Sequence, residues 1–152
     1  MSEVQGVELL IVEDNEQDLE LTLRALAKGK LTNRIHVARD GVEALEFFFS
    51  GNSDAGSGIV TPPRLVLLDL KLPKVSGLEV LQRIKADPRT MAVPVVVLTS
   101  SNQEQDVEHC YKLGVNSYIV KPVNFERFTV AVQELGMYWL LLNQPPTPAK
   151  RV

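Results

Sequence analysis

Four short runs of Val, Ile and Leu limit what this chain can fold into: Val7 to Val12, Leu65 to Leu68, Val93 to Leu98 and Tyr118 to Val120, each bounded by polar or turn residues. Such runs read as strands buried on both faces, because they show neither the alternation of a half-exposed strand nor the period of an amphipathic helix. A fifth segment, Arg34 to Ala38, alternates in polarity and is expected near a sheet edge. Between the runs, apolar residues recur at helical spacing, as in Leu19, Leu23 and Leu26 or Leu78, Leu81 and Ile84. Asp40 with Glu43, Ser76 with Glu79 and Ser101 with Glu104 each set a capping oxygen three residues before a carboxylate that can reciprocate, so helices are expected to begin there. The chain thus reads as strand then helix, five times over. That is the α/β class, a doubly wound parallel sheet covered by helices on both faces.

A length of 152 residues with 45% hydrophobic content supports one continuous core. We expect a single domain over residues 1–142, a surface insertion at Gly51 to Pro63, and a disordered tail over residues 143–152, which holds three prolines. A net charge of −3 gives no electrostatic footprint for nucleic acid or an anionic membrane. The longest wholly apolar run, Met137 to Leu142, is far shorter than the roughly 20 residues that cross a bilayer. No basic leader precedes Val7, and the lone Cys110 cannot form an internal disulfide, so a soluble protein of the reducing cytoplasm is expected. Phe125, Phe128, Val132, Leu135, Trp139 and Leu142 form one apolar stripe on an extended last helix. Tyr138, Leu140 and Leu141 add apolar surface on its other faces, which predicts a covering partner, a second copy of the chain.

In an open parallel sheet, ligands bind beyond the carboxyl ends of the strands. The polar residues there are Glu13 and Asp14 after the first strand, Asp69 after the third, Thr99 and Ser100 after the fourth, and Lys121 after the fifth. Carboxylates so crowded repel one another and are tolerable mainly beside a cation; hard oxygen donors suit Mg²⁺, and no Cys or His cluster competes. Magnesium held this way can bridge to phosphoryl oxygens, and a carboxylate such as Asp69 can form an acyl phosphate. Lys121 and Thr99 are then placed to meet the phosphoryl oxygens. His36 and His109 read as ordinary placements, and Cys110 as a packing residue.

Val12-Glu13-Asp14-Asn15, Leu68-Asp69-Leu70-Lys71-Leu72-Pro73 with Gly77 beyond, Leu98-Thr99-Ser100 and Val120-Lys121-Pro122 resemble the receiver domain of two-component response regulators over roughly residues 6 to 140. The resemblance implies a flavodoxin-like (βα)5 fold with strand order 2-1-3-4-5. It implies that Asp69 is phosphorylated by a sensor histidine kinase. It gives Mg²⁺ to Glu13, Asp14, Asp69 and the backbone carbonyl of Lys71, makes Thr99 and Tyr118 a switch pair, and makes the Lys121-Pro122 bond cis. Lys71 departs from the pattern: it stands where many receivers carry a residue that helps water attack the acyl phosphate, and Ser100 stands where alanine is frequent. The insertion and the extended last helix resemble the small stand-alone regulators of bacterial and cyanobacterial phytochrome histidine kinases.

The implied function is a switch whose only catalysis is on itself and whose output passes through surface contacts of the fourth helix, fifth strand and fifth helix. An aspartate-nucleophile phosphohydrolase would want a second acid two residues after the nucleophile, where Lys71 stands. A flavin carrier would want a hydroxyl- and Gly-rich loop after the first strand, where Glu13-Asp14-Asn15-Glu16 would repel a phosphate. A receiver-shaped module that is never phosphorylated is the remaining alternative.

Overall fold

The structure, a computed structural model, describes residues 7–31, 34–49, 62–121 and 124–146. Five strands, β1 (Leu9–Val12), β2 (Ile35–Ala38), β3 (Leu65–Leu68), β4 (Val95–Thr99) and β5 (Ser117–Val120), form one sheet in the order β2-β1-β3-β4-β5, all parallel. The helices are α1 (Glu16–Lys28), α2 (Gly41–Phe49), α3 (Gly77–Ala86), α4 (Glu104–Leu113) and α5 (Phe125–Gly136). Strand order and helix count match the sequence reading.

Parity along the strands divides the core in two. Leu10, Val12, Val66, Leu68, Val95 and Val97 face α2, α3 and α4 through Phe48, Leu81, Ile84 and Cys110. Leu9, Ile11, Leu65, Leu67, Val96 and Leu98 face α1 and α5 through Leu19, Leu26, Phe128 and Val132. Side chains on successive strand residues point to opposite faces, so uniformly apolar strands are what two helical layers require. Cys110 is fully buried, and burial pushes its thiol up to about 11, as suits a packing residue.

Three expectations need correction. Tyr118 to Val120 is not buried on both faces, because β5 closes one edge of the sheet; its residues are half-buried or exposed. The box at Ser101 and Glu104 does not form: α4 starts at Glu104 with Gln103 before it, and the Ser101 hydroxyl donates instead to Asp106 at 2.5 Å. At the other two the capping oxygen is used as expected, with Glu79 N–H on Ser76 Oγ at 3.2 Å and Glu43 N–H on Asp40 Oδ1 at 2.8 Å, while the Glu43 carboxylate reaches one residue further back, to the Arg39 N–H at 2.9 Å. Finally, the apolar stripe slips at its end. Gly136 packs so closely on α1 that a Cβ there would lie 2.7 Å from Leu31 Cδ1 and 3.1 Å from Leu26 Cδ2. Met137–Leu142 then continues as a π-helical turn closed by Asn143 N–H on the Tyr138 carbonyl at 2.6 Å. The wider turn buries Leu140 and leaves Leu142 exposed, and Phe125 at the other end is exposed too. The Gly51 to Pro63 insertion, the tail and the cis bond lie wholly or partly outside the described residues; Asn143 to Pro146 have no regular structure.

Candidate functional site

Four strands, β1, β3, β4 and β5, end by delivering polar side chains to the same rim. Glu13 follows β1, with its N–H on the Ala38 carbonyl, and Asp69 follows β3, with its N–H on the Val12 carbonyl. Lys121 follows β5 and donates its backbone N–H to the Thr99 carbonyl at 2.7 Å. Gly77 opens α3 directly against the Asp69 backbone, where a Cβ would come 2.2 Å from the Asp69 carbonyl oxygen. The glycine beyond the aspartate in the sequence motif is therefore a steric requirement of the strand end that carries Asp69.

The side chains converge as the sequence implied. Glu13, Asp14 and Asp69 each offer a carboxylate oxygen, all within 4.8 Å of one another. Lys121 Nζ donates to Glu13 Oε1 at 2.9 Å and to Asp69 Oδ2 at 3.0 Å, with its side chain only 9% exposed. The Asp69 Oδ1 atom accepts from the Lys71 N–H at 3.3 Å, while the Lys71 side chain is exposed. Thr99 is fully buried, and its hydroxyl accepts from the Ser101 N–H at 3.4 Å. Tyr118 is half-buried, and its hydroxyl donates to the Ser101 carbonyl at 2.9 Å. Burial is the main reason that its phenol titrates above the ordinary range.

One site residue was not singled out from the sequence. Asp18, in the first turn of α1, accepts from Lys121 Nζ at 2.7 Å, the shortest of the three contacts. Its partner lies 103 residues away along the chain. The spacing from Asn15 was the available signal, since a residue in the first turn after β1 stands on the same rim.

Four carboxylates against one ammonium leave a formal charge of −3. Burial, only partly relieved by Lys121, pushes the Glu13 carboxyl up to about 7. At Asp69 burial acts the same way but is outweighed by the charge and hydrogen bond of Lys121 and by Thr99, which hold it below the usual carboxylate range. Lys121 is held above its ordinary value: burial opposes this, but hydrogen bonds to Asp18 and Glu13 and the charges of Glu13 and Asp69 prevail. An oxygen-only donor set with surplus negative charge is what a hard divalent cation requires.

Residues 9–133 match the response regulator receiver domain. The chain belongs to that family. It is 45% identical over 141 residues, 93% of the chain and 88% of the relative, to the probable methanogenesis regulatory protein FilR2 of Methanothrix harundinacea. Among solved structures, the bacteriophytochrome response regulator AtBRR is 51% identical, with a TM-score of 0.68 over 93% of this chain and 100% of that one. The phosphorylated cyanobacterial phytochrome response regulator RcpA is 37% identical, with a TM-score of 0.83 over 94% and 100%. The Mn²⁺-bound form of response regulator Rcp1 is 36% identical, with a TM-score of 0.82 over 93% and 99%. This receiver carries the acidic site of relatives that hold divalent metal. Among the described residues no helix is long and apolar enough to cross a membrane.

Proposed function

We propose that this receiver takes a phosphoryl group on Asp69 from a sensor histidine kinase in the cytoplasm and signals through contacts that the modification alters. An Asp69 carboxylate oxygen attacks phosphorus, the new O–P bond forms as the P–N bond of the donor phosphohistidine breaks, and the imidazole leaves with the electron pair. Lys121 and Thr99 receive the phosphoryl oxygens. Glu13, Asp14, Asp69 and the Lys71 carbonyl would hold Mg²⁺, which would supply charge neutralisation for the transferring group. The observation that carries this reading is the placement of Lys121 Nζ 3.0 Å from Asp69 Oδ2, within a carboxylate cluster that suits a divalent ion. Catalysis extends only to the protein's own phosphorylation and dephosphorylation. A phosphohydrolase is disfavoured because Lys71 stands where the second acid would be and its side chain is exposed.

Thr99 and Tyr118 form the switch: Thr99 moves toward the phosphoryl group and Tyr118 follows. The Ser101 carbonyl that accepts from Tyr118 also ties this movement to α4, through the Ser101 hydroxyl on Asp106. Likeness to regulators named for phytochromes supports a phytochrome kinase as the donor. A second copy of the chain covers the exposed Val130, Met137, Tyr138, Leu141 and Leu142 along the last helix. The exposed ammonium of Lys71 stands where an assisting side chain would be, so dephosphorylation is slowed or redirected.

Acetyl phosphate with Mg²⁺ tests the nucleophile. The native chain gains one phosphoryl group by intact mass and Asp69→Asn gains none; equal labelling of both proteins removes Asp69 from its role. Sedimentation tests the association, and a monomer at high concentration, phosphorylated or not, removes the dimer.

A further inference from the structure

We propose that Asp18 is a positioning residue: it holds the Lys121 ammonium group on the α1 side of the site, so that one charge serves Glu13 and Asp69 without collapsing onto either. This rests on the reading of Asp69 as phosphoacceptor, which it extends.

The ordinary role of an acid in the first turn of a helix is to reach back to the capping residue or to complement the helix dipole. Asp18 does not reach back. The Asn15 N–H that it would satisfy is taken by Glu13 Oε2 at 3.2 Å, and Asn15 Oδ1 caps the Asp18 N–H at 2.9 Å. With the cap completed by other groups, the Asp18 carboxylate is free to cross to β5, where it meets Lys121 at 2.7 Å. Its backbone carbonyl accepts from the buried Thr22 hydroxyl at 2.9 Å, which fixes the turn that carries it.

An ammonium group has three donors. Here they are spent on Asp18, Glu13 and Asp69 at 2.7, 2.9 and 3.0 Å, so the head of Lys121 is fixed at three points. Without Asp18 only Glu13 and Asp69 remain. The charge then settles on the two carboxylates that the cation and the phosphoryl donor need, competing with the first and blunting the second. Glu13 is also a cation ligand, so once the site is loaded Asp18 is the one partner of Lys121 with no other duty.

The test compares the native chain, Asp18→Asn, Lys121→Gln, their double variant, and Glu16→Gln. The last removes an acid from the same first turn, whose side chain pairs outward with Arg39. Two quantities are read: Mg²⁺ affinity by calorimetry, and the rate of phosphorylation at saturating against half-saturating acetyl phosphate. Asp18→Asn should weaken Mg²⁺ binding about fivefold and lower the saturating rate by a similar factor, with little change in the half-saturating donor concentration. Glu16→Gln should match the native chain, and in the Lys121→Gln background Asp18→Asn should change Mg²⁺ affinity less than about twofold. An equal loss with and without Lys121, an equal loss in Glu16→Gln, or no loss in Asp18→Asn would each overturn the proposal. If the native chain takes no label at all, the phosphoacceptor reading fails, and the calorimetric comparison alone decides the role of Asp18.

Discussion

Two partly buried lysines sit at opposite ends of the sheet, and their surroundings push them in opposite directions. At the carboxyl ends of the strands, Lys121 is held by three carboxylates and binds its proton more tightly than an ordinary lysine. At the other end, Lys85 reaches from the end of α3 to the Met91 and Val93 carbonyls at 3.1 and 2.7 Å and to Asn116 Oδ1 at 3.2 Å. Those acceptors are neutral, so burial prevails and lowers Lys85 to about 8. Asn116 also accepts from the Val95 N–H at 2.8 Å, so this end is a stitch joining α3 to the starts of β4 and β5. The same side chain binds its proton more tightly where it faces charge and less tightly where it faces neutral dipoles.

Removing each ammonium group is the strongest way to break that contrast. Lys121→Met leaves buried carboxylates uncompensated and should cost about 3 kcal/mol of stability in chelator, most of it recovered on adding Mg²⁺. Chemical denaturation with and without the ion checks this, and a loss that Mg²⁺ does not repair would count against the charge argument.

Next in size is a pH effect. Glu13 is raised from 4.5 to about 7 in the folded chain, so the folded state holds a proton that the unfolded chain gives up first. Its contribution is therefore complete below pH 4.5 and is lost as pH rises toward 7, on the order of 2 kcal/mol in the cation-free protein. The lowered Asp69 acts with the opposite sign and only below its ordinary value of 3.8, outside this window. Melting curves in chelator should show the decline between those two pH values, and saturating Mg²⁺ should flatten it.

The smallest effect belongs to the neutral end. Lys85→Met should cost about 1 kcal/mol, the value of donors withdrawn from neutral acceptors, with no response to Mg²⁺. If it answered to Mg²⁺ as Lys121→Met does, the two ends would not be independent.

The part of this arrangement that could be read from the sequence was local. Buried parallel strands announce themselves by composition, and a polar residue just past such a strand must fall on the rim, which placed Glu13, Asp14, Asp69, Thr99 and Lys121 correctly. What escaped depended on packing between distant segments. Asp18 was missed because nothing nearby in the sequence shows that Glu13 satisfies the Asn15 N–H and leaves Asp18 to meet Lys121. Ser101 and Glu104 have the spacing of a capping box, but the Ser101 hydroxyl goes to Asp106 and its N–H to Thr99 Oγ1, and α4 begins later. The slip of the last stripe follows from how closely Gly136 meets α1, a contact that helical periodicity does not encode.

Lys121 lies 108, 103 and 52 residues along the chain from Glu13, Asp18 and Asp69. During synthesis all three acids therefore leave the ribosome well before the ammonium group that meets them. Until the last strand docks, the growing polypeptide carries the acids without their counterion. The carboxylate cluster gains this compensation only at the step that seats the edge strand β5.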